Sequence, residues 1–412
     1  MITKIKVNNC FAFNKEVEMN LKADMRTKRF ISNIIHTTNA DILKSTVLYG
    51  PNNTGKTSFI NCIKEIKKTL LNSKSYLESN IFKKDSICEL GISFIYKSKE
   101  YNYEYKYDDK IKEYVYEKMS EIKKDNYNNE KEEIIFIKDN KSNKFECPSD
   151  QELEKILSIT SNSNILIYTV QTEKFDILKK IKEILITTAN NIEIISMNNL
   201  PISKTIQILK TSPEKSKKIV EFIKNADIYL ENFKYNEEIQ LPEKFIEENE
   251  PKFHNLQEQI KLTSVYKGIE VPSIFYDSLG TKKISALASY IIEAIEEGKT
   301  LIVDELDSSL HFKITRAIIG MFNNDINKKA QLIVTLHDIS LLDCKKMFRK
   351  EQIWFTSKDE NGTNLYSLKE FSYEKDGIRD TTDIIEKYSK GFFGAIPEPD
   401  LIETLISNDE DM

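Results

Sequence analysis

The sequence predicts a mixed α/β fold whose sheet is parallel in its centre and which carries an inserted, mainly helical lobe. Three observations predict it. Runs at residues 46–49, 301–303, 332–335 and 353–355 are short and uniformly apolar or β-branched, the pattern of strands buried on both faces. Helical periodicity follows three of them, and alternation of strand with helix builds a parallel sheet. The first run passes through a glycine-bearing loop, residues 50–57, directly into a helical stretch that begins near Lys56.

The other elements follow in chain order. Residues 2–7 and 17–21 read as strands, and residues 90–96 and 101–107 largely alternate apolar or aromatic with polar positions around a polar turn. That alternation predicts an antiparallel pair, continued by 112–115. From about 119 to 260 the composition shifts to Lys, Glu, Asn and Ile, with Phe175, Ile177, Leu178, Ile181, Ile184 and Leu185 at helical spacing. The expected organisation is therefore a discontinuous head, 1–118 and 262–398, an inserted mainly helical lobe, 119–261, and an acidic tail, 399–412. Residues 123–144 are Lys- and Asn-rich with low hydrophobicity, which predicts a solvated loop or hairpin rather than a nucleic-acid patch.

Composition narrows the function classes. The 412 residues are 40% hydrophobic and 30% charged, as in a soluble globular protein of two or three domains. The longest uncharged stretch, 156–172, is rich in Ser, Asn and Thr, so no membrane span is expected. Residues 1–7 lack the apolar stretch of a secretory signal. Cys10, Cys62, Cys88, Cys147 and Cys344 are odd in number and without paired spacings, which fits a reducing cytoplasm better than a disulfide framework or zinc site. A net charge of −5 supplies no global field for nucleic acid, so a nucleic-acid site is allowed only as a local patch.

Chemistry concentrates in four places. Gly50-Pro51-Asn52-Asn53-Thr54-Gly55-Lys56-Thr57, followed by Ser58, fits G-x-x-x-x-G-K-[ST] between a strand and a helix. The glycines let successive N–H groups converge and the helix adds its positive end, so the loop cradles phosphate oxygens. Lys56 is placed to contact the β- and γ-phosphates and the Thr57 hydroxyl to bind Mg²⁺. Residues 301–305 form an apolar strand ending in two carboxylates: Asp304 is expected to hold the magnesium through water, and Glu305 to orient and deprotonate the attacking water.

Ser278 and Gly280 stand just before a helix whose apolar stripe is Ile284, Leu287, Ala288, Ile291, Ile292 and Ile295. Ser278 is thus a helix N-cap, a role compatible with an anion site at the helix N-terminus. Residues 332–336 form another apolar strand, ending at His337, which is suited to hydrogen-bond a γ-phosphate or the attacking water. His36 lies in a polar segment, His254 in the expected insertion and His311 just past the acidic pair.

In order, the phosphate loop, Ser278-Leu279-Gly280, Asp304-Glu305, Asp307-Ser308 and His337 resemble the Walker A, signature, Walker B, D-loop and switch-histidine elements of ABC-type ATPases. The spacing is similar too: Asp304 follows Gly280 by 24 residues and His337 follows Asp304 by 33, while 221 residues from Thr57 to Ser278 exceed the interval of transporter ATPases. More narrowly, residues 278–342, with 297–300 leading into 303–311, resemble the stand-alone AAA-type ATP-binding proteins of bacterial abortive-infection systems, relatives of the overcoming-lysogenization-defect and PARIS ATPases. Residues 226–228, 352–355, 365–368 and 391–397 extend the resemblance, which is weak between 119 and 225.

The resemblance implies an ABC-type P-loop ATPase head that binds ATP and Mg²⁺, with Asp307 joining the nucleotide site. It also implies a head-to-tail homodimer or higher homo-oligomer in which Lys56 and Thr57 face Ser278 and Gly280 of a second copy. A regulatory role over a separate nuclease or toxin in anti-phage defence follows, with DNA-binding genome maintenance of the SMC-like type as the alternative. Phe312 stands where the family usually has proline, and Phe392 where it often has arginine. The resemblance does not place the Q-loop glutamine at a particular position, and no acidic clusters of a fused TOPRIM nuclease follow His337.

Overall fold

The computed structural model describes residues 1–72, 77–125, 129–226, 229–239, 251–360, 362–379 and 382–396. Asp227, Ile228, Pro397 and the expected tail 399–412 lie outside the described residues. Two sheets organise the chain. The central sheet has the spatial order Ile192–Ser196, Thr300–Asp304, Gln331–Thr335, Ser45–Tyr49, Ile353–Asp359, Gly362–Ser367; the first five strands are mutually parallel and the last is antiparallel. The expected mixed, centrally parallel sheet is thus present. Pairings such as Ser196 with Asp304, and Thr335 with Leu48, bring the carboxyl ends of the strands level, where α/β sheets place their ligands.

Uniformly apolar strands have a physical reason here, because each face of the sheet supplies a different core. Ile302 and Ile333 point to one core, whereas Leu301, Val303, Leu332 and Val334 point to the other. Filling the first core is the helix Lys56–Asn72, whose Phe59, Cys62, Ile63, Ile66 and Leu70 are fully buried at helical spacing. Each large apolar side chain removed from water there stabilises the fold by about 1.5–3 kcal/mol.

Across that helix lies the second sheet, antiparallel throughout, in the order Lys144–Glu146, Glu130–Asp139, Glu113–Lys124, Lys99–Asp108, Ile87–Tyr96, Ile2–Asn8, Val17–Asn20. Tyr101, Tyr103, Tyr105 and Tyr107 all face inward, as period-2 alternation requires. The sheets are joined by Gln331: its buried side chain accepts from Ile2 N at 2.7 Å and Thr300 Oγ1 at 3.1 Å, and donates to Ile2 O at 2.9 Å.

The expected division at 118/119 is corrected, since that point falls inside the strand Glu113–Lys124. Residues 113–146 complete the antiparallel sheet, and Ile192–Ser196 is an edge strand of the central one, so 119–261 is not a separate mainly helical unit. The outer-face charges misled the reading: Lys118 pairs with Glu132 and Lys123 with Glu133 across a hairpin, so a charged composition conceals a strand period. Position 261/262 divides a unit as well. Leu262–Tyr266 pairs with Asn232–Tyr235 and Ile269–Pro272, and this small sheet shares a core with the helices Ser203–Thr211, Pro213–Asn225 and Leu279–Glu297. Ile206, Ile219, Ile223, Phe233, Leu262, Ile284 and Ala288 form that core, whereas Leu287, Tyr290, Ile291 and Ala294 of the same helix pack against the central sheet, so the helix after Ser278 joins the smaller lobe to the head.

Candidate functional site

Strand Ser45–Tyr49 ends at Gly50, and the loop returns to the helix at Lys56. Gly50, Asn53 and Gly55 have φ of 157°, 63° and 99°. A Cβ on Gly50 would lie 2.5 Å from Thr356 O and 2.9 Å from Thr54 Oγ1, and one on Gly55 would lie 2.9 Å from Thr363 Cγ2; only glycine fits either position. Thr54 Oγ1 donates to Pro51 O at 2.7 Å and lies 2.8 Å from Thr356 Oγ1, which pins the loop to the neighbouring strand. Asn52 and Asn53 are exposed at the loop's tip, and Ser58 sits in the helix's first turn.

Lys56 is buried, and its Nζ donates to Gly50 O at 2.6 Å and Pro51 O at 3.0 Å. Burial lowers its pKa, opposed by the field of Glu305, Asp304 and Asp307. A buried ammonium held by carbonyls, with no carboxylate paired to it among the described residues, is matched to an incoming anion. The converging N–H groups, this ammonium and the adjacent Thr57 hydroxyl fit the phosphates of a nucleotide and its Mg²⁺.

At the end of the strand Thr300–Asp304, Asp304 accepts from Thr57 Oγ1 at 3.0 Å and from Thr335 Oγ1 at 2.6 Å. Thr335 Oγ1 also accepts from Glu305 N at 2.6 Å, so a single hydroxyl orients both acidic residues. Glu305 occupies the left-handed region, φ 57°, which turns its carboxylate out of the strand direction. One oxygen, Oε2, accepts from Asn198 Nδ2 at 2.7 Å, while Oε1 lies 3.9 Å from His337 Nε2. Asp307 Oδ2 accepts from the backbone N–H of His337 and of Asp338, both at 2.6 Å, whereas its buried Oδ1 has no partner among the described residues.

Ser278 caps the helix Leu279–Glu297 by accepting from Thr281 N at 3.1 Å. Gly280 approaches the backbone of Ser309, whose O would lie 3.1 Å from an added Cβ. Lys283 Nζ donates to Ser308 O and Oγ, at 3.2 and 3.1 Å, and to Ser309 Oγ at 3.2 Å. Residues 280–283 are therefore tied to 308–309, while among the described residues the Ser278 side chain hydrogen-bonds within its own helix, to Thr281. His311 is the N-cap of the helix Phe312–Phe322, which places Phe312 at its first position, and His36 pairs with Asp41.

Lys56, Thr57, Asp304, Glu305, Asp307 and His337 thus come together in one chain, joined by Thr335 and Asn198, which sequence reasoning missed. Thr335 precedes His337 by two residues at the end of an expected strand, a usable signal. Asn198 follows the strand Ile192–Ser196 in an asparagine-rich stretch and carried none.

The model of a family described as "AAA domain, putative AbiEii toxin, Type IV TA system" matches residues 45–343, from the phosphate-loop strand to just beyond His337. No curated protein matches the chain. Similar solved structures include the SMC head domain from Thermotoga maritima, 11% identical with a TM-score of 0.42, covering 89% of this chain and 98% of that one. Another is an SMC head bound to the C-winged helix domain of ScpA, 13% identical with a TM-score of 0.47, covering 91% of this chain and 99% of that one. A third is the Pyrococcus furiosus Smc head with an extended coiled coil, 11% identical with a TM-score of 0.43, covering 91% and 97%.

Proposed function

The chain belongs to this AAA-domain family of ATPases, and from that premise we propose that it hydrolyses ATP as the sensor or regulatory subunit of an anti-phage system, controlling a separate nuclease or toxin. The observation that carries the catalytic part is the division of labour at the strand end, where Asp304 is fixed by two hydroxyls and Glu305 is turned away toward Asn198 and His337.

Gly50 to Thr57 hold the phosphates through backbone N–H groups, and Lys56 exchanges the Gly50 and Pro51 carbonyls for phosphate oxygens. Thr57 and Asp304 would hold a Mg²⁺, which when bound would supply positive charge to offset that of the phosphates. Glu305 takes the proton of the attacking water at Oε1 while Asn198 steadies Oε2. His337 hydrogen-bonds the γ-phosphate side, its backbone fixed by Asp307.

Ser278 and Gly280 complete the cage from a second copy in a head-to-tail homodimer. Exposed Phe275, Tyr276 and Leu279 beside Ser278 support an interface there. Because the helix after Ser278 packs on the central sheet with one face and on the smaller lobe with the other, closure of the dimer is transmitted through it to that lobe and signals to the effector.

A DNA-clamping role is less well supported. Lys215 pairs with Glu297, and Lys218 with Glu214 and Glu296, so two of the basic residues in that stretch are already neutralised. No helix among the described residues is long and apolar enough to cross a membrane. The test is Glu305→Gln: ATP binding is retained and turnover falls by about 10²–10⁴-fold, whereas near-normal turnover overturns the assigned role. The same variant, purified in Mg-ATP with its flanking genes expressed, brings down a stoichiometric nuclease or toxin; a lone dimer carrying DNA in a salt-sensitive manner moves the reading to genome maintenance.

A further inference from the structure

Next to Asn198 lies a half-open cavity of about 380 Å³, lined by the segment 197–203, the first turns of the helix Leu279–Glu297 and residues 273–274. Its size falls within the roughly 300–1,000 Å³ of small-molecule sites. Three features mark it as built for a ligand. Ser285 lines it, is fully buried, and has a hydroxyl with no hydrogen-bond partner among the described residues. A buried donor left unmade is costly, and a ligand acceptor reaching Ser285 removes that cost. Lys282 and Lys283 both line the cavity, and among the described residues neither forms an ion pair with a carboxylate. Lys282 Nζ gives one bond, 2.7 Å, to Ile274 O, which leaves two of its donors. Leu200, Ile202, Ile274 and Leu279 supply apolar wall between these polar points.

We propose that this cavity binds a small organic phosphate of nucleoside-monophosphate size, at a site distinct from the phosphate loop, and that its occupancy sets the ATPase rate. Two ammoniums on one cavity wall favour a doubly charged head over a neutral one, the apolar walls take a flat base, and Ser285 meets a polar edge of that base. The coupling rests on the role assigned above to Glu305 and runs through two contacts. Asn198, which lines the cavity, holds Glu305 Oε2 at 2.7 Å. Lys283 directs its donors to Ser308 and Ser309, so a phosphate that draws Lys283 inward releases the segment adjoining Asp307. Asp277 does not oppose the site: its carboxylate accepts from Ser264, Ser273 and Tyr266 at 2.7, 2.6 and 2.8 Å.

The test is equilibrium dialysis of labelled adenosine, guanosine, cytidine and uridine 5′-monophosphates against full-length Lys56→Ala protein, in which the phosphate loop is disabled. One saturable equivalent of at least one of them is expected, weakened at least tenfold by adding Ser285→Val or, at a half-buried position where the replacement still offers a donor to Ile274 O, Lys282→Gln. In the protein with an intact phosphate loop the same compound shifts ATP turnover at least twofold, and Ser285→Val abolishes the shift while leaving basal turnover unchanged. Absence of binding by all four, binding indifferent to both cavity variants, or, in protein that turns over ATP, binding without a turnover shift each overturns the proposal. Dialysis reads the cavity without reference to hydrolysis, so an inactive but ligand-binding protein would count against the ATPase assignment and not against the site.

Discussion

Asp304 and Glu117 are both buried carboxylates on strands, and they make opposite use of burial. Asp304 stands where a parallel strand ends, beside the Thr57 and Thr335 hydroxyls and facing a loop with a buried ammonium. Glu117 lies in the middle of the antiparallel sheet, where it accepts from Tyr103 OH and Leu166 N, both at 2.8 Å, and desolvation pushes its pKa up to about 7 against the pull of those bonds and Lys138. A strand end leaves room for a cation, whereas a strand interior offers only fixed neighbours. The same side-chain chemistry is therefore poised for a ligand in one sheet and structural in the other.

The sharpest way to break the comparison is Gly50→Ala, because the added methyl collides with Thr356 and Thr54; isothermal titration should show ATP binding lost while the circular dichroism spectrum is kept. Asp304→Asn comes next. It keeps both hydroxyl partners and removes the charge, so turnover at saturating Mg-ATP should fall by roughly 10²-fold or more, a loss of the order that removing one transition-state charge contact produces. Unchanged turnover would place Asp304 with Glu117 among the structural acids.

Thr335→Val retains shape but frees both acidic residues at once, and a steady-state assay should show kcat lowered by about tenfold, consistent with loss of one or two oriented hydrogen bonds. Glu117→Gln should leave turnover unaltered and change only the pH profile of stability. Its folded pKa lies above the ordinary carboxylate value of 4.5, so the folded state keeps a proton that the unfolded state releases, and wild-type stability falls as pH rises from that value through about 7. The advantage of the Gln variant in urea denaturation should grow by on the order of 3 kcal/mol between pH 4 and 8; a constant difference would mean that Glu117 ionises normally.

Much of the site was legible because phosphate chemistry demands backbone shape as well as side chains. Gly50, Gly55, Lys56 and Thr57 advertise a loop conformation, and Asp304, Glu305 and His337 each end a run whose uniform apolarity comes from two cores pressing on one sheet. Asn198 was invisible because it depends on where an edge strand pairs, and Ile192–Ser196 pairs with a strand more than a hundred residues away. The division at 118/119 failed for a related reason: one face of the hairpin at 113–139 is covered with matched charges, so composition speaks for solvent while alternation speaks for a sheet. Local patterns report local structure, and register between distant strands is settled by packing that no short window contains.

Gln331 has a consequence for how the molecule comes apart. By bonding the Ile2 backbone with a side chain anchored in the central sheet, it makes the start of the first strand of one sheet contingent on the integrity of the other. Fraying of the first strand then needs rupture of a buried amide at the heart of the nucleotide-binding sheet, so the amide of Ile2 should exchange with deuterium on the schedule of the slowest core amides and not on that of a chain terminus. The two sheets are in this sense one cooperative foldon, and tension applied to the first strand is felt directly beside Thr300, at the start of the strand that carries Asp304.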